Sequence, residues 1–186
     1  MGTLSITASP KKGRFWKRVG PAALTALGAL LFLASVGYWT YGAAVANPAP
    51  VAVPDAVAGM PLAQKTVGPE AVAEVTRLHG KEFPLTSGAM ATYGGDGAVT
   101  LWVSGAPVSF IANEMVHAMT DKILKGRSPF TPTGTHDVDG RTVYKLVGMG
   151  QQHFYFQSGS LVIWLTAPMD EALAEKALAD VLQFYP

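Results

Sequence analysis

Glu114, His117 and Asp121 come nearest to a reactive arrangement in this chain. Spaced i, i+3 and i+7, they fall on one side of a helix, and a carboxylate–imidazole–carboxylate set suits a divalent metal ion. Glu114-x-x-His117 is also half of the pattern used by di-iron carboxylate bundles, but the chain has no second Glu-x-x-His. The plainer reading of the three is the solvated face of an amphipathic helix.

His136-Asp137-Val138-Asp139-Gly140 opens like a calcium loop, yet the third ligand and the closing Glu are missing. Asp139-Gly140 is equally what a tight hairpin requires. The absence of cysteine excludes disulfides, thiolate metal sites, a Cys nucleophile and a cysteine-linked lipid. There is no Gly-x-Ser-x-Gly elbow, and the single Ser-x-x-Lys, Ser9 to Lys12, lies in a basic tail. No phosphate-binding Gly-x-x-x-x-Gly-Lys occurs, and Gly148-Met149-Gly150 is too short for a dinucleotide fingerprint. No motif therefore calls for a cofactor. What remains is aromatic: Trp102, Trp164 and Tyr155 stand on predicted strands, and the two tryptophans alternate with the aliphatic residues that most plainly face a core. An uncovered sheet face carrying both indoles would suit a protein partner or an apolar ligand.

The elements that position these residues follow from local signals. Pro69 to His79, closed by Gly80, reads as a helix with Val72, Val75 and Leu78 as its apolar stripe. Ala89–Tyr93 and Val99–Ser104 flank a Gly-Gly-Asp-Gly turn. Pro107 to Lys125 reads as a helix facing the core with Ile111, Met115, Met119 and Ile123. Arg127 to Gly134 reads as a loop. Two hairpins follow, 135–138 with 141–147 and 153–157 with 161–166. A last helix opens after Pro168, with Leu173, Ala177, Val181 and Phe184 inward.

An offset of 62 positions superposes Gly97, Val99, Leu101, Trp102, Val103 and Ser104 on Gly159, Leu161, Ile163, Trp164, Leu165 and Thr166. The match continues from Ile111, Met115 and Met119 to Leu173, Ala177 and Val181. A duplicated ββα unit is expected on this basis, although any two such units share the same alternation. Together these signals predict an α+β domain: one antiparallel sheet with its helices on one face.

The domain hangs from something else. Ala22 to Tyr41 contains no charge and is long enough to cross a bilayer as a helix. Residues 1–20 hold Lys11, Lys12, Arg14, Lys17 and Arg18 without an acid, so the formal net charge of +1 conceals a tail of +5 and a remainder of −4. That asymmetry predicts a cytoplasmic tail contacting anionic lipid and a domain outside the cell membrane. The acidic remainder disfavours nucleic acid. Phe15 and Trp16 before the run, and Tyr38, Trp39 and Tyr41 at its end, sit where interfacial aromatics belong.

The expected layout is a basic tail over 1–20, a transmembrane helix over 21–42, a Pro/Ala-rich linker over 43–61 and a domain over 62–186. Ala44-Val45-Ala46 also fits a signal-peptidase site, so a secreted protein cut after Ala46 is the alternative to a retained anchor.

The segment VDGRTVY…QHFYFQSGSLVIWLT, followed by a helix, resembles extracytoplasmic domains of unknown function in single-pass bacterial membrane proteins, some of them attached to anti-sigma factors. The resemblance covers about the last third of the chain and implies an envelope location. Twenty residues before the apolar run are too few for a cytoplasmic sigma-binding domain, and no site residues carry over.

Overall fold

A computed structural model describes residues 12–80, 83–95 and 98–186, with residues 12–19 described as backbone only. Residues 1–11 of the basic tail expected over 1–20, together with Asp96 and Gly97, therefore lie outside the described residues, while the rest of that tail is helical. Helix α1 runs from Lys12 to Ala46 and continues through Pro21. Leu24, Leu30, Phe32 and Leu33 are all exposed on it. Its serine and threonine hydroxyls bond back into the helix: Thr25 Oγ1 donates to the Pro21 carbonyl at 3.0 Å, Ser35 Oγ to that of Leu31 at 2.8 Å and Thr40 Oγ1 to that of Gly37 at 3.0 Å.

The chain divides into a helical unit ending at Thr40 and a folded unit from Tyr41 to Pro186. The folded unit is α+β. Its strands are β1 (Ala49–Pro50), β2 (Ala56–Val57), β3 (Met60–Val67), β4 (Ser87–Tyr93), β5 (Val99–Gly105), β6 (Thr131–Val138), β7 (Arg141–Gly148), β8 (Gln151–Ser158) and β9 (Leu161–Ala167). Helix α2 (Pro69–His79) lies between β3 and β4, α3 (Ser109–Leu124) between β5 and β6, and α4 (Glu171–Phe184) follows β9.

One sheet takes the order β2-β3-β4-β5-β9-β8-β7-β6, antiparallel throughout, with β1 added parallel to β4. β1 occupies the stretch of β4 at Ser87–Gly88 that β3 leaves free, since β3 pairs only from Ala89 onward. The turns are what their sequences demand. Asp139-Gly140 and Met149-Gly150 both take positive φ, the twist that suits two-residue hairpins. α2 has the expected bounds and stops at Gly80, whose left-handed φ of 64° lets its N–H reach the Thr76 carbonyl.

Alternation along the strands sorts the core into two layers. Ala89, Ala91, Leu101, Val103, Phe154, Phe156, Ile163 and Leu165 face one way, under Ala174, Ala177, Leu178, Val181 and Leu182 of α4. Val162, Trp164, Tyr155, Tyr144 and Leu146 face the other, under Ala112, Val116 and Ile123 of α3. α2 also lies on this second face, where Val72 and Ala71 crowd Gly88. The helices thus cover both faces of the sheet, not one as expected. The physical sign is the run Phe154-Tyr155-Phe156, buried at all three positions. A strand with one wet face alternates, and a strand covered twice does not.

The helix stripes shift accordingly. α3 buries Ala112, Val116 and Ile123, while Ile111, Met115 and Met119 are half-buried at its margin. α4 turns Leu178 and Leu182 inward and leaves Phe184 41% exposed. Leu78 of α2 is exposed at 59%, and Ala71 takes the core position. Residues 131–134, read as loop, extend β6 instead.

The segment read as a linker is built into the domain. Pro48, Pro54, Val57 and Ala58 are buried, and Val51 and Val53 pack on the α4-side core. Three side chains hold it down. Tyr93 Oη donates to the Pro54 carbonyl at 3.0 Å, and Tyr185 Oη to that of Ala52 at 2.8 Å. Asp180 of α4 accepts from the Ala58 N–H at 2.7 Å, at the tip of the β2–β3 hairpin where Ala58 takes φ 54°. Burial pushes both tyrosine hydroxyls far above their ordinary pKa, so they remain donors at any physiological pH. A strap over 49–58 thus crosses the sheet beside α4.

Arg141 closes the other end of that layer. Its guanidinium donates to the Leu182 carbonyl in the last turn of α4 at 3.1 Å and to that of Tyr185 just past the helix. A cation there satisfies orphan acceptors and complements the helix dipole.

Candidate functional site

The strand register assembles a row of side chains straight across the α3-side face. Met90 pairs with Trp102, Trp102 with Trp164, Trp164 with Tyr155, and Tyr155 with Tyr144. Because direct partners project to the same face, five neighbouring strands each contribute one residue to this row. The two tryptophans matched in the sequence thus lie opposite each other at the β5–β9 junction, where hairpin β4–β5 meets hairpin β8–β9. Helices α3 and α4, which follow these hairpins, lie on opposite faces.

The row is graded in cover. Tyr155 is 1% exposed and lies beneath α3, where its hydroxyl shares a 2.8 Å hydrogen bond with Thr120 Oγ1. It therefore belongs to the core and not to a surface, contrary to expectation, because α3 crosses to the face that the tryptophans share. Trp164 stacks on Tyr155 at 5.4 Å and 9°, and Tyr155 on Tyr144 at 4.6 Å and 5°. Phe130 closes the other side of Trp164 at 5.0 Å. Trp102 is half-buried, as Trp164 is, but has no ring partner among the described residues. α2 packs over β3 and β4, α3 over β8 and β9, and β5 lies between them. The furrow between these helices has Met90, Trp102 and Trp164 on its floor, with half-buried Thr92 and Thr100 beside them. These positions carry no charge, so the furrow suits an uncharged or apolar group that can lie against an indole.

Next to the buried end of the row, a cavity of about 190 Å³ opens between α3 and the sheet edge, lined by Thr120, Ile123, Leu124, Pro132, Tyr144 and Tyr155. It falls short of the ~300 Å³ at which small-molecule pockets begin.

The sequence had no signal for His153, which is 4% exposed beside the same row. It packs on Phe130 at 4.7 Å and Trp164 at 5.7 Å. The Gly148 carbonyl can only accept, so the neutral ring carries its proton on Nε2, 3.0 Å away, and Nδ1 accepts from Thr166 Oγ1 at 3.1 Å. Burial lowers its pKa below 6.5, partly opposed by the Gly148 bond. Between the folded and unfolded pKa values the unfolded chain binds more protons, so stability falls as pH drops through about 6.5 and levels off below the folded value. Thermal melts from pH 7.5 to 5.5 will show this slope, and His153→Gln will flatten it. An equal slope in the variant would assign the effect elsewhere.

Glu114, His117 and Asp121 are all exposed on α3, and Asp121 is paired with Lys125 at 2.7 Å. Seven residues of helix separate the two carboxylates by about 10.5 Å along the axis, too far to share one ion. Among the described residues no three His, Asp or Glu side chains gather closely enough to hold a metal. Asp139-Gly140 is a hairpin turn, and Asp137 accepts from Thr142 Oγ1 at 2.8 Å. Comparison with protein families, with curated proteins and with solved structures finds no match to this chain.

Proposed function

We propose that this chain is a single-pass protein of a bacterial cell membrane whose folded domain lies outside the cytoplasm and acts as a non-enzymatic binding module. The observation that carries the binding role is the furrow at Trp102: an indole with no ring partner among the described residues, set between two helices on an uncharged floor. Its occupant is an envelope protein segment or an apolar ligand.

The membrane reading is supported by the helix from Gly20 to Ala46, which is long and apolar enough to span, and by the hydroxyls that bond back into it. The cations before it favour a cytoplasmic N-terminus. Retention is favoured over cleavage because Ala44-Val45-Ala46 is helical, with the Asn47 N–H bonded to the Ala43 carbonyl at 3.0 Å. A protease subsite takes extended chain, and the residues just beyond are already held in the sheet.

A photo-crosslinking residue at Thr100, introduced into the full chain in its native membrane, tests the binding role. Adducts formed there and lost in Trp102→Ala support the furrow. The same adducts from a crosslinker at Met149, on a distant turn, or persistence in Trp102→Ala, would sink it.

A further inference from the structure

The strap brings the chain into the sheet at one particular end. The Ala49 N–H donates to the Thr86 carbonyl, Thr86 N–H to that of Gly105, and Ala106 N–H to that of Ser160. The start of the domain, the β5–α3 corner and the β8–β9 turn are therefore neighbours. That corner, Pro107 to Phe110, exposes Val108 at 53% and Phe110 at 66%. Gln157 holds it rigid, with Nε2 donating to the Ser109 carbonyl at 2.9 Å and to that of Gly159 at 2.8 Å. The C-terminus of α4 reaches the same end, where Ser158 Oγ donates to the Pro186 carbonyl at 2.6 Å and Phe184 is exposed. Residues 105–113 and 157–161 contain no charged side chain.

Chain length says what covers this end. Only Asn47 and Pro48 separate the last helical residue, Ala46, from β1. Two residues span at most about 7 Å. The 27 residues from Gly20 to Ala46 span roughly 40 Å, the thickness of a bilayer with its headgroup layers. A helix of that length brings Ala46 to the outer headgroups, and the sheet end follows within a few ångströms.

We propose that the Pro107–Phe110 corner docks into the headgroup region of the membrane that α1 crosses, with Val108 and Phe110 as its apolar contacts. This rests on the membrane reading above. Exposed apolar side chains on a rigid, uncharged corner are suited to the headgroup–acyl boundary. Docking would orient the domain and keep the Trp102 furrow at a fixed height above the lipid.

The absence of cysteine makes the test direct. Nitroxide labels are placed singly at Leu31→Cys, Ser109→Cys and Met149→Cys in the full chain, reconstituted in phosphatidylcholine–phosphatidylglycerol vesicles. Oxygen and nickel-chelate accessibilities then report depth. Position 31 should lie deep in lipid. Position 109 should show an oxygen-to-nickel ratio several-fold above position 149, falling to the level of 149 when Val108→Ser and Phe110→Ser are added. Equal ratios at 109 and 149 with 31 still deep would overturn docking and leave the anchor standing. A water-exposed label at 31 would overturn both.

Discussion

A domain beginning at Leu62 will be less stable than one beginning at Asn47 by about 4–8 kcal/mol, which is most of what a domain of this size has. The loss sums identifiable contacts. Val57 is fully buried, and exposing or deleting such a side chain costs about 1.5–3 kcal/mol. The half-buried Val51 and Val53 add a smaller share. Tyr93, Tyr185 and Asp180 each lose a partner in the strap, at about 1 kcal/mol apiece. Removing 47–61 also deletes β1 and β2 and bares the upper side of the α4 layer. Urea unfolding of 47–186 beside 62–186 makes the comparison. A 62–186 chain with the same midpoint and slope would show that the strap contributes nothing.

The two tryptophans, alike in sequence, will behave oppositely. Trp164→Ala should cost about 3–4 kcal/mol, because it opens a cavity among Tyr155, Phe130 and His153. Trp102→Ala should cost only about 1 kcal/mol, since its indole, half-buried like that of Trp164, stacks on no ring among the described residues. Capture of the occupant should follow the reverse order: Trp102→Ala abolishes it in a folded protein, whereas conservative Trp164→Phe largely preserves both fold and capture. The same unfolding measurement, set beside the crosslinking yield, separates the two effects. Equal destabilisation by the two alanine variants would mean that Trp102 is a core residue and that the furrow is closed.

Local structure was legible because its signals are local. Pro69 and Gly80 bracket α2 to the residue, and Asp139-Gly140 marks the β6–β7 turn. What escaped depends on the connections between elements. Nothing in the composition of α3 states which sheet face it crosses to, and that choice alone buried Tyr155 and turned the helix stripe toward Ala112 and Val116. The run Phe154-Tyr155-Phe156 did hold a clue, since three consecutive buried aromatics require cover on both sides.

The strap was hidden for a different reason. Its prolines deny it long ladders, so it reads as an open tether, yet a polypeptide can be fixed by side chains reaching down to its carbonyls. The turn Ala58-Gly59 was the overlooked signal for the β2–β3 hairpin. The candidate furrow depended on register. Both tryptophans were visible, but their direct opposition, and the placement of Met90 and Tyr144 in the same row, exist only once β5 pairs with β9.

The two-residue junction at Asn47–Pro48 also bears on how this protein is turned over. Sheddases and other processing enzymes need a loose, extended stretch of several residues, and exposed flexible segments are where nicking concentrates. Here the helix runs to Ala46, Pro48 is buried and Ala49 is already hydrogen-bonded into the sheet. In the membrane-anchored chain proposed above, this junction would offer no extended stalk at which the domain could be clipped free, and its removal would require unfolding at the junction or extraction of the whole chain.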